Sequence, residues 1–532
     1  MTTSTVVDAG DGLPLTVPAL LGERATARPD AVLLAADGDV LTYAAADRRS
    51  AELARGLLAA GAGKGAHVGI LQPNGSDFVV AWLAAARIGA VSVPLSTFST
   101  SAELATLLRN ADVGVLLSAL SYRSHDYVRT LGPAVPGLDL AVPPPLLTPS
   151  VPVLRRIAFT AAGAVPGVGP AWTAAGLVEE GAAVGDDVLR AAEAAVTPAD
   201  RMVIVHTSGS TSEPKGVVHT HGALIRHVDN LNRLRRYTPD EVLFSNSPFF
   251  WIGGFAYALL GTLVAGARLA CSNAADAAGV LDLIERERPT MVNGFAQSVA
   301  HLPADPTFAG RDLSSIRRGN LYPIMPPDVR PADPELRHAM LGMTEAGSVC
   351  LVSDDEGEQP EHRRGSFGRP APGFEARVVD GELHLRGPFM MEGYYGRERH
   401  QTFDADGWFP TGDLVDVDDD GFFYFKGRRG DMIKTAGANV SPREVEAAIL
   451  DVSGLTAHVV GVDDEARGQI VAAVVRVPAG RSVDPDDLRA RLRQRLSAYK
   501  VPQRIVPLAD DEVPTMSSGK LDLRALKDLL GA

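Results

Sequence analysis

The sequence predicts an α/β protein in two parts: a large N-terminal α/β domain with mainly parallel sheets, and a small C-terminal α+β domain. Three observations lead there. At 532 residues the chain exceeds what a single hydrophobic core sustains, since such cores stop growing near ~250 to 300 residues. Strand-length apolar stretches alternate with amphipathic helical ones through most of the N-terminal three quarters, the rhythm of buried parallel strands joined by helices. The style of the chain then changes near "FKGRRGDMIK", residues 425–434, which places the expected boundary between a domain of residues 1–428 and one of 429–532.

Taken in order, "HVGILQ" from His67, "DFVVAWLAAARIGA" from Asp77 and "VSVPL" from Val91 read as strand, helix and strand. "GAGKGA" at 61–66 follows a helix instead of a strand, so it is a turn and not a dinucleotide fingerprint. The Pro-rich "VPPPLLTPSVPV" at 142–153 is expected as a surface excursion. From Phe249 to Ala267 no charge occurs, a length that could span a bilayer, but four glycines and the lack of a flanking Lys/Arg cluster favour a buried helix. "DVDDDG" at 416–421 imitates the start of an EF-hand loop; its twelfth position is Gly427 where a glutamate is needed, so a hairpin turn at Asp420-Gly421 is expected. Beyond Lys434 come a helix from Pro442 with Ser441 and Glu444 as a capping box, strands near 457–462 and 469–477, a helix from Pro485 with Leu488, Leu492 and Leu496 as its stripe, and a strand near 503–507.

Composition narrows the class of function. Hydrophobic residues make up 45% and charged residues 22%, as in an ordinary globular protein, and a net charge of −14 argues against nucleic acid or an anionic membrane as main partner. Cys271 and Cys350 form neither a CxxC pair nor a disulfide framework, and no signal peptide opens the sequence, so a reducing cytoplasm is the expected setting. His206, His219, His221 and His227 cluster without HExxH or thiolate spacing, so no metal site is expected among them.

The strand-like "RMVIVH" runs into "TSGSTSEPKG" at 207–216. Small residues let backbone N–H groups approach phosphate oxygens and the lysine adds charge, although a plain Ser/Thr/Gly turn has the same composition. Gly209 and Lys215 have Walker A spacing, but Pro214 and Gly216 stand where the second glycine and the magnesium-binding hydroxyl belong. Both substitutions argue against a P-loop NTPase.

Further motifs follow in a fixed order: "LGMTEAG" at 341–347, "PTGDL" at 410–414, "KGRRGDMIKTAGANVSPREVE" at 426–446 and "PTMSSGKLDLRALK" at 514–527. With the loop at 207 they resemble the adenylate-forming superfamily of acyl- and aryl-CoA synthetases, peptide-synthetase adenylation domains and luciferases, over nearly the whole chain. That resemblance implies a two-step reaction: a carboxylate attacks the α-phosphate of ATP and releases pyrophosphate, then a thiol displaces AMP. It implies ATP, Mg²⁺ and CoA, or the phosphopantetheine of a carrier protein, a small carboxylic acid as substrate, and no membrane span.

The resemblance also assigns residues. Thr207, Ser208, Gly209, Ser210, Thr211 and Lys215 would embrace the β- and γ-phosphates; Thr344 would contact the α-phosphate and Glu345 hold Mg²⁺, with Gly342, Met343 and Phe425 beside the nucleotide. Asp413 and Arg428 would take the ribose. Lys520 would bridge the attacking carboxylate and the α-phosphate, and the small domain would then swing about Gly430 so that Lys434 and Gly437, in "KTAGANV", guide the thiol. Phe250, Trp251, Gly253, Gly254, Asn293, Gly294 and Gly319 are the acyl-pocket candidates, and the bulk of Trp251 favours a compact aromatic or short acyl group. Ser212, Leu341, Trp251 and "RRGNLYPIMPPDVRP" at 317–331 depart from the usual pattern, three of them at the adenine and acyl pockets. Loading of a separate carrier protein, or adenylation of another oxyanion such as nitrite for transfer to an aryl amine, stay open as alternatives to an acid–CoA ligase.

Overall fold

The computed structural model describes residues 2–3, 12–207, 214–428, 432–478, 481–509, 512–514 and 522–531. Ser208, Gly209, Ser210, Thr211, Ser212, Gly430, Lys520 and the side chain of Arg428 lie outside what is described.

The apolar stretches of the N-terminal part assemble into two sheets. One has seven strands, in the order Gly393–Tyr394, Lys215–Thr220, Arg201–Thr207, Val91–Pro94, His67–Leu71, Val115–Ala119 and Arg156–Thr160; the first two are antiparallel additions to five parallel strands. The other has six, Arg318–Gly319, Met291–Val292, Val242–Phe244, Arg268–Cys271, Val32–Ala36 and Asp39–Thr42, parallel except for the last pair. His67–Leu71, Val91–Pro94 and Val115–Ala119 are buried at every residue, as parallel strands covered on both faces must be.

Helix Ser76–Arg87 is buried at every position but Asp77. It shares one core with Val68 and Ile70 of the seven-stranded sheet and with Leu34 and Leu269 of the six-stranded one. A helix apolar all round has no solvent face to offer, so it packs inside. The uncharged stretch from Phe249 behaves likewise: a π-helix over Gly253–Leu260 continues as an α-helix over Gly261–Ala265, with Phe255, Leu259, Leu260 and Leu263 wholly buried. Among the described residues no helix is long and apolar enough to cross a membrane.

A third sheet is antiparallel, beside the two mainly parallel ones. Thr2–Thr3, Glu375–Val379, Glu382–Arg386, Phe409–Val417 and Phe423–Arg428 pair antiparallel throughout. Strand Phe409–Val417 alternates buried and more open residues along "FPTGDLV", the signature of a sheet covered on one face. Its turn is a hairpin as expected: the Asp418 carboxylate accepts from the N–H groups of Asp420 and Phe422 and from the Tyr424 hydroxyl, so it is spent on the turn.

The last sheet joins Ala438–Val440, Ile433–Thr435, Gly468–Val477 and Ala457–Asp464, with Arg504–Ala509 parallel to Gly468–Val477. Helix Pro442–Ser453 starts where expected, with Ser441 accepting from Glu444 N at 3.4 Å. The reciprocal half of that capping box is absent because the Glu444 carboxylate is held by Lys500 at 2.8 Å. The second helix ends at Leu492, so Leu496 is buried beyond it and not on its stripe. Of the Pro-rich stretch, Val142 and Leu147 are exposed while Leu146 and Val151 anchor it in the core.

Candidate active site

A cavity of about 1320 Å³ is lined by residues of the N-terminal sheets and of the C-terminal sheet together. At one end, strand Arg201–Thr207 turns back as Lys215–Thr220, with Thr207 opposite Lys215. Lys215 thus opens a strand, whereas the Walker lysine opens a helix. The geometry agrees with the reading drawn from Pro214 and Gly216.

Beside this hairpin a second one, Leu341–Met343 with Ser348–Val352, carries Thr344 and Glu345 at its tip, and Gly342, Met343, Thr344 and Glu345 all line the cavity. Two buried side chains hold the tip in place. The Tyr394 hydroxyl donates to Glu345 Oε1 at 2.8 Å, and Lys215 Nζ lies 5.0 Å from the centre of the Tyr394 ring. One tyrosine therefore fixes the spacing between a cation and a carboxylate, its face offered to the first and its O–H to the second. On the other side His219 Nε2–H donates to the Thr344 carbonyl at 2.7 Å. Burial pulls His219 down to about 4, against the pull of that hydrogen bond, so the ring is neutral near pH 7.

Asp413 is buried on Phe409–Val417, opposite Arg428 in register, with its N–H donating to the Thr411 hydroxyl at 3.0 Å. Phe425 lines the same wall, its ring 6.0 Å from that of Phe367, and Lys434 reaches it from the C-terminal sheet with Nζ 4.6 Å from the ring centre.

The acyl-pocket candidates form the opposite side. Phe98, Phe250, Trp251 and Phe295 make a run of edge-on ring contacts at 5.7, 5.5 and 6.0 Å. Gly437 ends the run: its φ is +85°, and a Cβ there would lie 3.0 Å from Phe295 Cγ. Only a glycine turn lets the backbone of the C-terminal sheet come this close to the aromatic wall. Asn320 clamps Gly294, accepting from its N–H at 3.1 Å and donating to its carbonyl at 2.8 Å, and Asn293 Nδ2 lies 3.3 Å from Asn320 Oδ1. Gly253, Asn293 and Gly294 line the cavity. Gly254 and Gly319 do not: each is pressed against a backbone carbonyl, Pro248 and Val292 respectively, and serves close packing of chain on chain.

Four residues around the cavity were given no role there from the sequence. Tyr394, His219 and Phe295 act through contacts made across 49, 125 and 44 residues of chain or more, which no local pattern signals. Glu103 is different, because Thr100-Ser-Ala-Glu103 reads as a capping box and both of its reciprocal hydrogen bonds are present. Of the other three histidines of that cluster, His206 lines the cavity; burial pulls His206 and His221 to about 4 and His227 to about 3, and among the described residues no group of three or more His, Cys, Asp or Glu could hold a metal. Cys271 and Cys350 are both buried and unpaired, and burial raises both thiols well above their ordinary value.

Thr207 and Lys215 on paired strands, a Thr-Glu tip, a buried Asp413 and the Gly437 hairpin thus share one cavity, as the ordered motifs of an adenylate-forming ligase lead one to expect. The chain belongs to the AMP-binding enzyme family: residues 21–395 match the family described as AMP-binding enzyme, and residues 444–520 match AMP-binding enzyme C-terminal domain. It is 33% identical over 523 residues to a feruloyl-CoA synthase of Amycolatopsis, covering 94% of this chain and 96% of that one. Among solved structures, the amide bond synthetase McbA of Marinactinospora thermotolerans superposes with a TM-score of 0.75 at 24% identity, over 96% of this chain and 99% of that one. The o-succinylbenzoate CoA synthetase of Bacillus subtilis, bound to a product analogue, gives 0.72 at 24% identity over 96% and 98%. The enzyme is accordingly an AMP-forming ligase of the acyl-CoA synthetase type, which activates a carboxylic acid as its adenylate and passes the acyl group to CoA. Carrier-protein loading and nitrite activation are not favoured.

Proposed function

We propose that the cavity carries out both half-reactions on a compact aryl or short acyl acid, in the cytoplasm. The observation that supports this is the single cavity that joins Thr207, Lys215, Thr344, Glu345 and Asp413 to the Phe250–Trp251–Phe295 wall and to Gly437. ATP would lie with its β- and γ-phosphates on residues 207–215, its α-phosphate at Thr344 and its ribose at Asp413. Glu345, one buried hard carboxylate beside that phosphate site, suits a magnesium ion held by one protein ligand and the substrate's own phosphates. Such an ion would offset charge on the phosphate oxygens.

In the first step a carboxylate oxygen forms a bond to the α-phosphorus as the bond to pyrophosphate breaks, and Lys520 would neutralise the two anions as they meet. Lys215 would hold the departing pyrophosphate. In the second step the thiol sulfur bonds to the acyl carbon, the C–O bond to AMP breaks and the thiol proton is released to solvent. Gly437 would pass the thiol arm beside Phe295, and Trp251 would limit the acyl group. Residues 1–428 and 429–532 would be the two domains, hinged at Gly430. The two buried, unpaired thiols suit a reducing compartment.

The test is pyrophosphate release across a panel of acids, with and without CoA, and the mass of each product. Release should be greatest with aryl and short acyl acids, and CoA should convert the adenylate to a thioester. An adenylate that persists in the presence of CoA, or faster turnover of long-chain fatty acids, would contradict this reading.

A further inference from the structure

Away from the nucleotide end, a buried ion cluster joins the two parts of the chain. Glu103, the third residue of helix Ser101–Asn110, caps that helix through Thr100, whose N–H donates to Oε2 at 2.8 Å. The same carboxylate also takes three donors from the C-terminal part: the Ser497 hydroxyl at 2.7 Å, the Ser497 N–H at 3.3 Å and Lys500 Nζ at 2.7 Å. Lys500 in turn reaches Glu444 Oε1 at 2.8 Å, and Glu444 lies in the first turn of the helix that directly follows the Gly437 hairpin. All three side chains are nearly buried, at 9 to 12% exposure. Tyr499 sets its ring edge-on to Phe98, 6.4 Å away, at the far end of the aromatic run that Gly437 closes.

The cluster has a property that a purely structural ion pair lacks: it can separate without stranding a charge. Parted from the C-terminal part, Glu103 keeps Thr100 and the helix N-terminus, which stabilise a carboxylate. Parted from Glu103, Lys500 keeps Glu444. Burial penalises the Glu103 carboxylate, but Lys500, Thr100 and Ser497 outweigh it and hold the carboxyl below its ordinary value, so the pair is charged when closed.

We propose that Glu103 and Lys500 form a separable latch that positions the Gly437 hairpin against the acyl wall for thiol transfer, and that releases when the C-terminal part turns for adenylation. Both are positioning residues, acting through the hairpin; the role rests on the two-half-reaction reading above. Glu103→Gln keeps the helix cap, since glutamine serves at that position, and removes the charge; Lys500→Met keeps the stem. In full-length enzyme labelled through Asp30→Cys and Glu465→Cys, both exposed, single-molecule energy transfer without ligand should show each variant losing most of the population at the latched distance. In single turnover, transfer from preformed adenylate to CoA should fall on the order of tenfold in each variant, with adenylation changed less than about twofold. An unaltered distance distribution in both variants, or equal losses in the two half-reactions, would overturn the latch. If no acid supports pyrophosphate release by the parent enzyme, the ligase reading fails while the distance measurement still decides the latch.

Discussion

Tyr394 shows how one side chain can set the spacing between a cation and a carboxylate on one cavity wall. Its ring and hydroxyl meet Lys215 and Glu345, so removing the O–H alone should loosen the carboxylate and leave the cation's contact in place. A hydrogen bond to a charged group is worth about 1.5–3 kcal/mol. Tyr394→Phe should therefore lower kcat/KM about ten- to a hundredfold and raise the Mg²⁺ concentration needed for half-maximal rate; a titration with an unchanged midpoint would contradict the role given to Glu345. On the acyl side, Trp251→Ala removes the ring that stands between Phe250 and Phe295. Turnover of compact aryl acids should fall and that of longer acids rise, so the ratio of the two kcat/KM values is the readout. These roles were legible unevenly. The Thr344-Glu345, Asp413 and Gly437 motifs stand in sequence as short signatures, whereas Tyr394 gives no local sign of its task. Gly254 and Gly319 read differently at the two levels: glycine beside a pocket motif looks like room for a ligand, and in the fold each gives room to a neighbouring backbone.

Strands and helices carry the acid sensitivity of the molecule. Strands Arg201–Thr207 and Lys215–Thr220 and helix His221–Leu234 bury His219, His221 and His227 and half-bury His206, all lowered by desolvation from 6.5 to between about 4 and about 3 and so held neutral near pH 7. Between those values the unfolded chain binds protons that the folded chain refuses. Their contribution is thus complete above about pH 6.5 and is lost as pH falls towards 4, at about 1.4 kcal/mol per pH unit for each fully titrating ring. Denaturant unfolding at pH 7 and pH 5 should show the loss, and His227→Phe, whose ring would stack on Phe389 and meet Phe374 edge-on, should reduce the slope by about one proton. A slope unchanged in the variant would mean that His227 is protonated in the fold. At this scale the sequence spoke plainly where burial is two-sided, as in His67–Leu71 and Ser76–Arg87. Over residues 375–428 only the Asp420-Gly421 hairpin was legible, because an antiparallel sheet next to parallel ones shows itself only in the alternation of short strands.

At the scale of the whole molecule, the arrangement described here brings the Gly437 hairpin, and with it Lys434, to the cavity. It is the arrangement that the proposed second half-reaction would use. The ordering of the five motifs made the superfamily and its two-step chemistry readable from the chain. What no motif could indicate was how the two parts meet, since Glu103 lies 397 residues from Lys500, and Lys500 56 from Glu444, and they are joined only by the fold. The central claim is that Lys520 and Gly437 serve successive half-reactions of one cavity. Single-turnover rates of adenylation, and of transfer from preformed adenylate to CoA, test it most directly in Lys520→Ala and Gly437→Ala. Lys520→Ala should lose on the order of 10² to 10³ in adenylation with transfer largely intact. Gly437→Ala, with its φ of +85° and Phe295 in the way, should show the reverse, a loss of about tenfold in transfer alone. Equal losses in both steps for either variant would contradict the account.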